Sequence, residues 1–291
     1  MRGMTEATAL LGVDFSSAPT RRKPITVAHG RREGAALRLL ALEALPTLAA
    51  FEALLVRPGP WFGAFDFPFG LPREFVDALA LGADTGSVIA ELRRRCPDRM
   101  TWRALVDAWG NERPPGRRLV HRITDRAHLA TSSSPLQTRY VPVGFMYYEG
   151  LARLIAAGVA LPALHRGDPA RVAVEGYPGR LAFELIGRRS YKNDPSPDRL
   201  IARKDLLEAL EQGRGSLGLR LRLSHAQRDS IAADASGDLL DALLCLMLAG
   251  WAERQPGHGV PAEVDRVEGW IVGPGPFSPA IPTSSSLATS P

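Results

Sequence analysis

Short apolar runs separated by polar, Gly- and Pro-containing connections dominate the first quarter of the chain, and several of these runs close on a carboxylate. Residues 9–15 (ALLGVDF) form the first run and contain Asp14. Residues 25–28 follow after the polar turn SSAPTRRKP, a pattern that predicts two adjacent strands forming a hairpin. Residues 36–42 are almost continuously apolar and are assigned to a third strand, although a helix start has the same pattern. Residues 46–55 carry helical spacing with Pro46 at the entry, and WFGAFDF at 61–67 predicts a buried strand ending at Asp66 before Pro68 and Gly70.

From about residue 73 to 170 the pattern turns helical, Arg-rich and Pro-interrupted, with helices expected at 73–81 and 87–95 and a polar loop, TSSSPLQTR, at 131–139. This stretch reads as a helical insertion. The strand pattern returns at 171–175 (RVAVE), which ends in Glu175 and is followed by the turn GYPG and a helix over 180–187. Further helices are predicted at 201–212, 224–233 and 238–254, the last being the most strongly amphipathic, and a final strand at 269–273. Residues 1–282 are taken as a single domain, and residues 283–291 as a disordered Ser/Thr/Pro-rich tail.

Composition narrows the class without naming a function. With 291 residues, 45% hydrophobic and 23% charged, the chain has the make-up of a folded soluble protein. Its 28 Gly and 24 Pro announce many loops. The net charge of +5 favours polyanionic partners, but the arginines lie in short scattered clusters rather than one tail. Cys96 and Cys245 are isolated and the six histidines are dispersed, which excludes a zinc-ligand pattern or a disulfide scaffold and fits a reducing cytoplasm. No apolar run has the length or flanks of a signal peptide or a membrane span, so a cytoplasmic location without membrane partners is expected.

The chemistry-bearing signal is the recurrence of acids at strand ends. Asp14, Asp66 and Glu175 each follow an apolar run, at the strand termini where open α/β sheets hold their ligands. Asp238 and Asp241 share one face of the last helix, and Asp241 interrupts an otherwise apolar stripe, where a bare carboxylate would be costly without a counter-charge, a metal or water. Clustered carboxylates suit Mg2+ or Mn2+, hard cations that prefer oxygen ligands, and such sites hydrolyse phosphodiesters without a Cys, His or Ser nucleophile. Taken one at a time, each acid is more simply a helix cap or a solvated strand end.

The blocks GVDFSSAP, FDFPFGLP, VEGYPG with YKND downstream, GDLLDALLC and EGWIVGP resemble successive segments of the DUF429 family, and together they span nearly the whole chain. That family resembles the RNase H-like superfamily in the branch of the RuvC resolvases, whose members are described as predicted nucleases. The resemblance implies an α/β fold with a mixed five-stranded sheet flanked by helices, and the helical insertion then falls between the fourth and fifth strands. It implies catalytic roles for Asp14, Asp66, Glu175 and Asp241, with Asp14, Asp66, Asp238 and Asp241 toward a divalent metal. The acid after the fourth strand is Asp66, where resolvases commonly carry Glu.

Lys192, with Arg188 and Arg189 nearby, is the candidate grip on substrate phosphate, and a solvated surface cluster is the alternative. Trp61, Tyr177 and Tyr191 read as core or turn residues, with stacking on nucleobases the lesser alternative. The expected function is metal-dependent hydrolysis of nucleic-acid phosphodiesters. A metal-dependent enzyme acting on a small phosphorylated molecule or nucleotide beneath the insertion, or a catalytically silent binding protein, are its alternatives.

Overall fold

Period-two alternation decides which side of the central sheet each strand residue faces. The computed structural model describes residues 8–127 and 133–275. Strands β1 (Ala9–Asp14), β2 (Ile25–Glu33), β3 (Ala36–Leu45), β4 (Trp61–Phe65), β5 (Val159–Ala160), β6 (Asp168–Glu175) and β7 (Arg220–Arg222) form a seven-stranded mixed sheet in the order β5-β6-β4-β1-β2-β3-β7. β1, β2 and β3 pair antiparallel, whereas β4 runs parallel to both β1 and β6.

Leu11, Val13, Trp61, Phe65 and Ala173 look to one side. There they meet α1 (Leu48–Leu55) and the insertion helices α2 (Arg73–Ala78), α3 (Thr85–Arg95), α4 (Arg99–Asn111) and α6 (Val143–Ala156) in one apolar core, while the short α5 (Ile123–Ala127) of the insertion buries the polar Thr124 and Asp125. Leu10, Phe62, Ala64 and Val174 look to the other side. That core is completed by α7 (Pro178–Ile186), α8 (Pro197–Gln212), α9 (His225–Ala233) and α10 (Asp238–Ala252).

Several helices begin where the sequence offers a side-chain acceptor for their free N–H groups. Thr47 accepts from Ala50 N–H, and Asp84, Asp98 and Ser224 each form a reciprocal capping box with the residue three positions on. α10 is buried along almost its full length, with α7 among the helices packed on it and β1 beneath it. Among the described residues no helix is long and apolar enough to cross a membrane.

The expectation of five strands is corrected to seven. β5 and β7 have two and three residues, too few to show a period, and both lie at sheet edges. Residues 269–273 form no strand: Ile271 makes a single parallel bridge to Glu175, while Gly269 (φ +69°) turns the backbone just before it. The insertion is helical as expected, but it also contributes β5 and the first residues of β6. The tail at 283–291 and the start of the 131–139 loop lie outside the described residues.

Candidate metal centre

The site grows out of strand register. Leu10 pairs with Phe62 and Gly12 with Ala64, and Asp66 N–H donates to Val13 C=O at 2.9 Å, so Asp14 and Asp66 emerge side by side just past these pairs. Both occupy even positions of their strands, on the same face as Leu10 and Ala64, which is the face covered by α10.

Gly12 sets how closely α10 can lie on that face. A Cβ at Gly12 would stand 2.1 Å from both Ala242 C=O and Leu246 N, so the helix backbone rests directly on β1. This contact brings Asp241, the neighbour of Ala242, over the strand ends. Carboxylate oxygens of Asp14, Asp66 and Asp241 lie within 4.8 Å of one another, and among the described residues this is the one such grouping of three His, Cys, Asp or Glu side chains.

The cluster is electrostatically strained. Burial pushes the Asp14 carboxyl well above its ordinary range, and the nearby charges of Asp66 and Asp238 add to this against the pull of Lys192 and Lys23. Burial also raises Asp66 to about 6, with Lys192 opposing and Glu175 contributing. The first turn of α10 carries Asp238 and Asp241, where the positive end of the helix dipole favours them. Cys245 lies one turn further on, its thiol pushed up by burial and by Asp66 and Asp14.

Asp241 is almost wholly buried, and both of its oxygens accept hydrogen bonds. Tyr191 Oη donates to Oδ1 at 2.5 Å, and Lys192 Nζ donates to Oδ2. The turn carrying these donors is held on the entry of α10: Asn193 N–H donates to Ser236 C=O and Asp194 N–H to Ala235 C=O, each at 3.2 Å. The buried Arg203 fastens it from below, donating to Tyr191 C=O at 2.9 Å and to Ala232 C=O at 2.8 Å. Asp234 caps the same helix entry by accepting from Leu239 N–H at 3.0 Å.

Glu175 stands apart from the cluster, and register explains it. Glu175 pairs with Phe65, so it faces the insertion, whereas Asp66 is one residue further along and faces α10. Its carboxylate is gripped by the buried Arg122, whose Nη1 and Nη2 donate to Oε2 at 2.8 Å and to Oε1 at 2.6 Å. Arg122 also pairs with Asp125 and donates to Glu268 C=O at 2.9 Å. Glu175 Oε2 accepts from Phe69 N–H at 2.8 Å, which ties the loop following Asp66 to the same network.

Of the residues expected to grip phosphate, Lys192 reaches the cluster. Arg189 pairs with Asp205 at 2.6 Å, and Arg188 is exposed beside it just beyond α7. Asp238 is half-buried one turn before Asp241, outside the trio. Trp61 and Tyr191 are core residues, 5% and 6% exposed, so their rings offer no open stacking face. Sequence reasoning passed over Gly12 and Arg122, and the spacing of Arg122 three residues before Asp125 was the one cue to a local ion pair.

A pocket of about 200 Å3 opens beside Asp66, between the Arg122–Glu175 pair and Val141, Val143 and Met146 of the insertion. Comparison with curated proteins and with solved structures gives no match. A family model described as "Protein of unknown function (DUF429)" matches residues 12–266, a span that takes in Asp14, Asp66, Glu175, Lys192 and Asp241. The chain therefore belongs to the DUF429 family.

Proposed function

We propose that the protein is a metal-dependent phosphodiester hydrolase acting on nucleic acid, with Asp14, Asp66 and Asp241 toward one divalent-cation site. The observation that carries this reading is the convergence of three carboxylates, from two strand ends and a helix, within 4.8 Å of one another. The donor set fits Mg2+ or Mn2+: each of the three grouped side chains offers a hard carboxylate oxygen, and the grouping includes no thiol or imidazole. Bound there, such a cation supplies Lewis acidity to a phosphoryl oxygen and makes a water nucleophilic at neutral pH.

The chain's own groups do the rest. The half-exposed ammonium of Lys192 points into the cluster, where a phosphate oxygen can share it. Tyr191 fixes the orientation of Asp241, and Gly12 fixes the height of the helix that carries it. Glu175, neutralised by Arg122 on the opposite face, holds the loop after Asp66 in place instead of acting as a ligand.

An RNase H-like core forms part of this proposal. Leaving aside the short edge strands β5 and β7, the strands β3-β2-β1-β4-β6 make a mixed sheet of five, the number the resemblance implies.

One observation favours a smaller substrate: the pocket beside Asp66, walled by the insertion. Its volume of about 200 Å3 is below the roughly 300–1,000 Å3 of sites that enclose a whole small-molecule ligand, so it suits one group of a longer substrate better.

Asp14→Asn and Asp241→Asn are each expected to lower Mg2+- or Mn2+-dependent hydrolysis of single- and double-stranded oligonucleotides by at least about a hundredfold, in line with losing one charged transition-state contact. Circular dichroism should stay unchanged. Full activity in either variant would refute the site. Cleavage of nucleotides with no cleavage of oligonucleotides would replace the substrate class.

A further inference from the structure

We infer that Lys192 takes the place of a second divalent ion, so that the centre holds one metal and one fixed ammonium. This rests on the metal reading above.

Phosphodiester-cleaving sites with two metals need a carboxylate that shares its oxygens between both ions. Asp241 is the most buried of the three acids, and Tyr191 and Lys192 already engage its two oxygens. Each oxygen keeps one lone pair, but the Lys192 ammonium already lies against Oδ2, so a second cation bridged by Asp241 would have to approach a fixed positive charge.

The three carboxylates sum to three negative charges, of which Lys192 offsets one and a single divalent ion the remaining two. A second ion would leave an excess of two positive charges in a largely buried site.

A lysine that reached the cluster by chance would sit on a loosely held loop, whereas this one sits on a turn fastened from several sides. Asn193 and Asp194 bond to the entry of α10, Arg203 holds Tyr191 C=O and Arg199 donates to Lys192 C=O. Gly237, at φ +83°, lies against the Lys192 stem: a Cβ there would stand 2.9 Å from Lys192 Cγ. The ammonium is therefore aimed by the fold, and it stays 34% exposed, open to a substrate phosphate from the solvent side.

The test is the number of Mn2+ ions bound by the full-length native protein and its variants, counted by electron paramagnetic resonance of free Mn2+ without substrate. One ion is expected in the native chain and in Lys192→Arg. In Lys192→Met and Lys192→Gln, the first ion should bind at least about tenfold more tightly, because a nearby unit charge remains substantial even at an effective dielectric constant near 20. A second ion should then enter. Two ions in the native chain, or unchanged affinity and number in both neutral variants, would overturn the inference and leave the metal site standing. No Mn2+ binding in the native chain, or binding insensitive to Asp14→Asn, would overturn both together.

Discussion

At the scale of single residues, Gly12 and Asp66 carry the sharpest consequences. Gly12 has no room for a side chain, because the α10 backbone occupies the space a Cβ would need, and backbone cannot yield as a flexible side chain can. Gly12→Ala is expected to cost about 3 kcal/mol or more, read as a lowered urea midpoint, and to weaken divalent-cation binding by displacing Asp241. Stability equal to that of the native protein would show that the close helix contact does not hold in solution. Asp66 titrates near 6 in the folded chain against about 3.9 unfolded, so the folded state binds its proton more tightly. The stability it contributes is complete below the unfolded value and is lost as pH rises through about 6. Without divalent cations, Asp66→Asn should therefore be more stable at pH 8 by up to about 3 kcal/mol, read as a raised melting temperature, with the gain vanishing by about pH 4. A destabilised variant at pH 8 would contradict the assignment of Asp66 to a strained cluster. Asp14, Asp66 and Asp241 were legible because each ends or interrupts an apolar run. Glu175 shows the same cue, yet one step of strand alternation puts it on the other face, and register is visible only once strands are paired.

Among the elements, α10 and the insertion fix the two sides of the site in different ways. α10 is positioned by backbone contact on β1 and by the capped turn at its entry. The insertion is anchored by the buried ion-pair network of Arg122 with Glu175 and Asp125, to which Glu268 adds bonds to Arg73 N–H and Ile123 N–H. Arg122→Met would leave two carboxylates buried without their partner, a loss of about 3–5 kcal/mol. Adding Glu175→Gln should recover part of it, measured as a double-mutant cycle in chemical denaturation. A cost below about 1 kcal/mol for the single variant would mean that the network is not closed in solution. Long helices with caps, and strands with clear alternation, were readable beforehand. β5 and β7 were not, since two or three residues carry no period, and the apolar stretch at 269–273 looked like a strand although its glycines permit only one bridge.

For the molecule as a whole, the sheet separates two apolar cores, one shared with the insertion and one with α10, and the carboxylates collect where parallel β1 and β4 end. The α/β class, the helical character of the insertion and the place of the acids followed from hydrophobic pattern alone. The face on which each acid lies did not, because it depends on contacts between segments distant in the chain. Many of the described arginines are held in ion pairs, such as Arg57 with Glu43, Arg73 with Asp265 and Arg94 with Glu91. Whether the carboxylate centre holds a divalent cation is read by calorimetric titration of the native protein with Mn2+, beside Asp14→Asn and Asp241→Asn. A metal centre requires saturable binding to the native chain that is lost in both variants; binding of equal strength in all three, or none in the native protein, would rule it out.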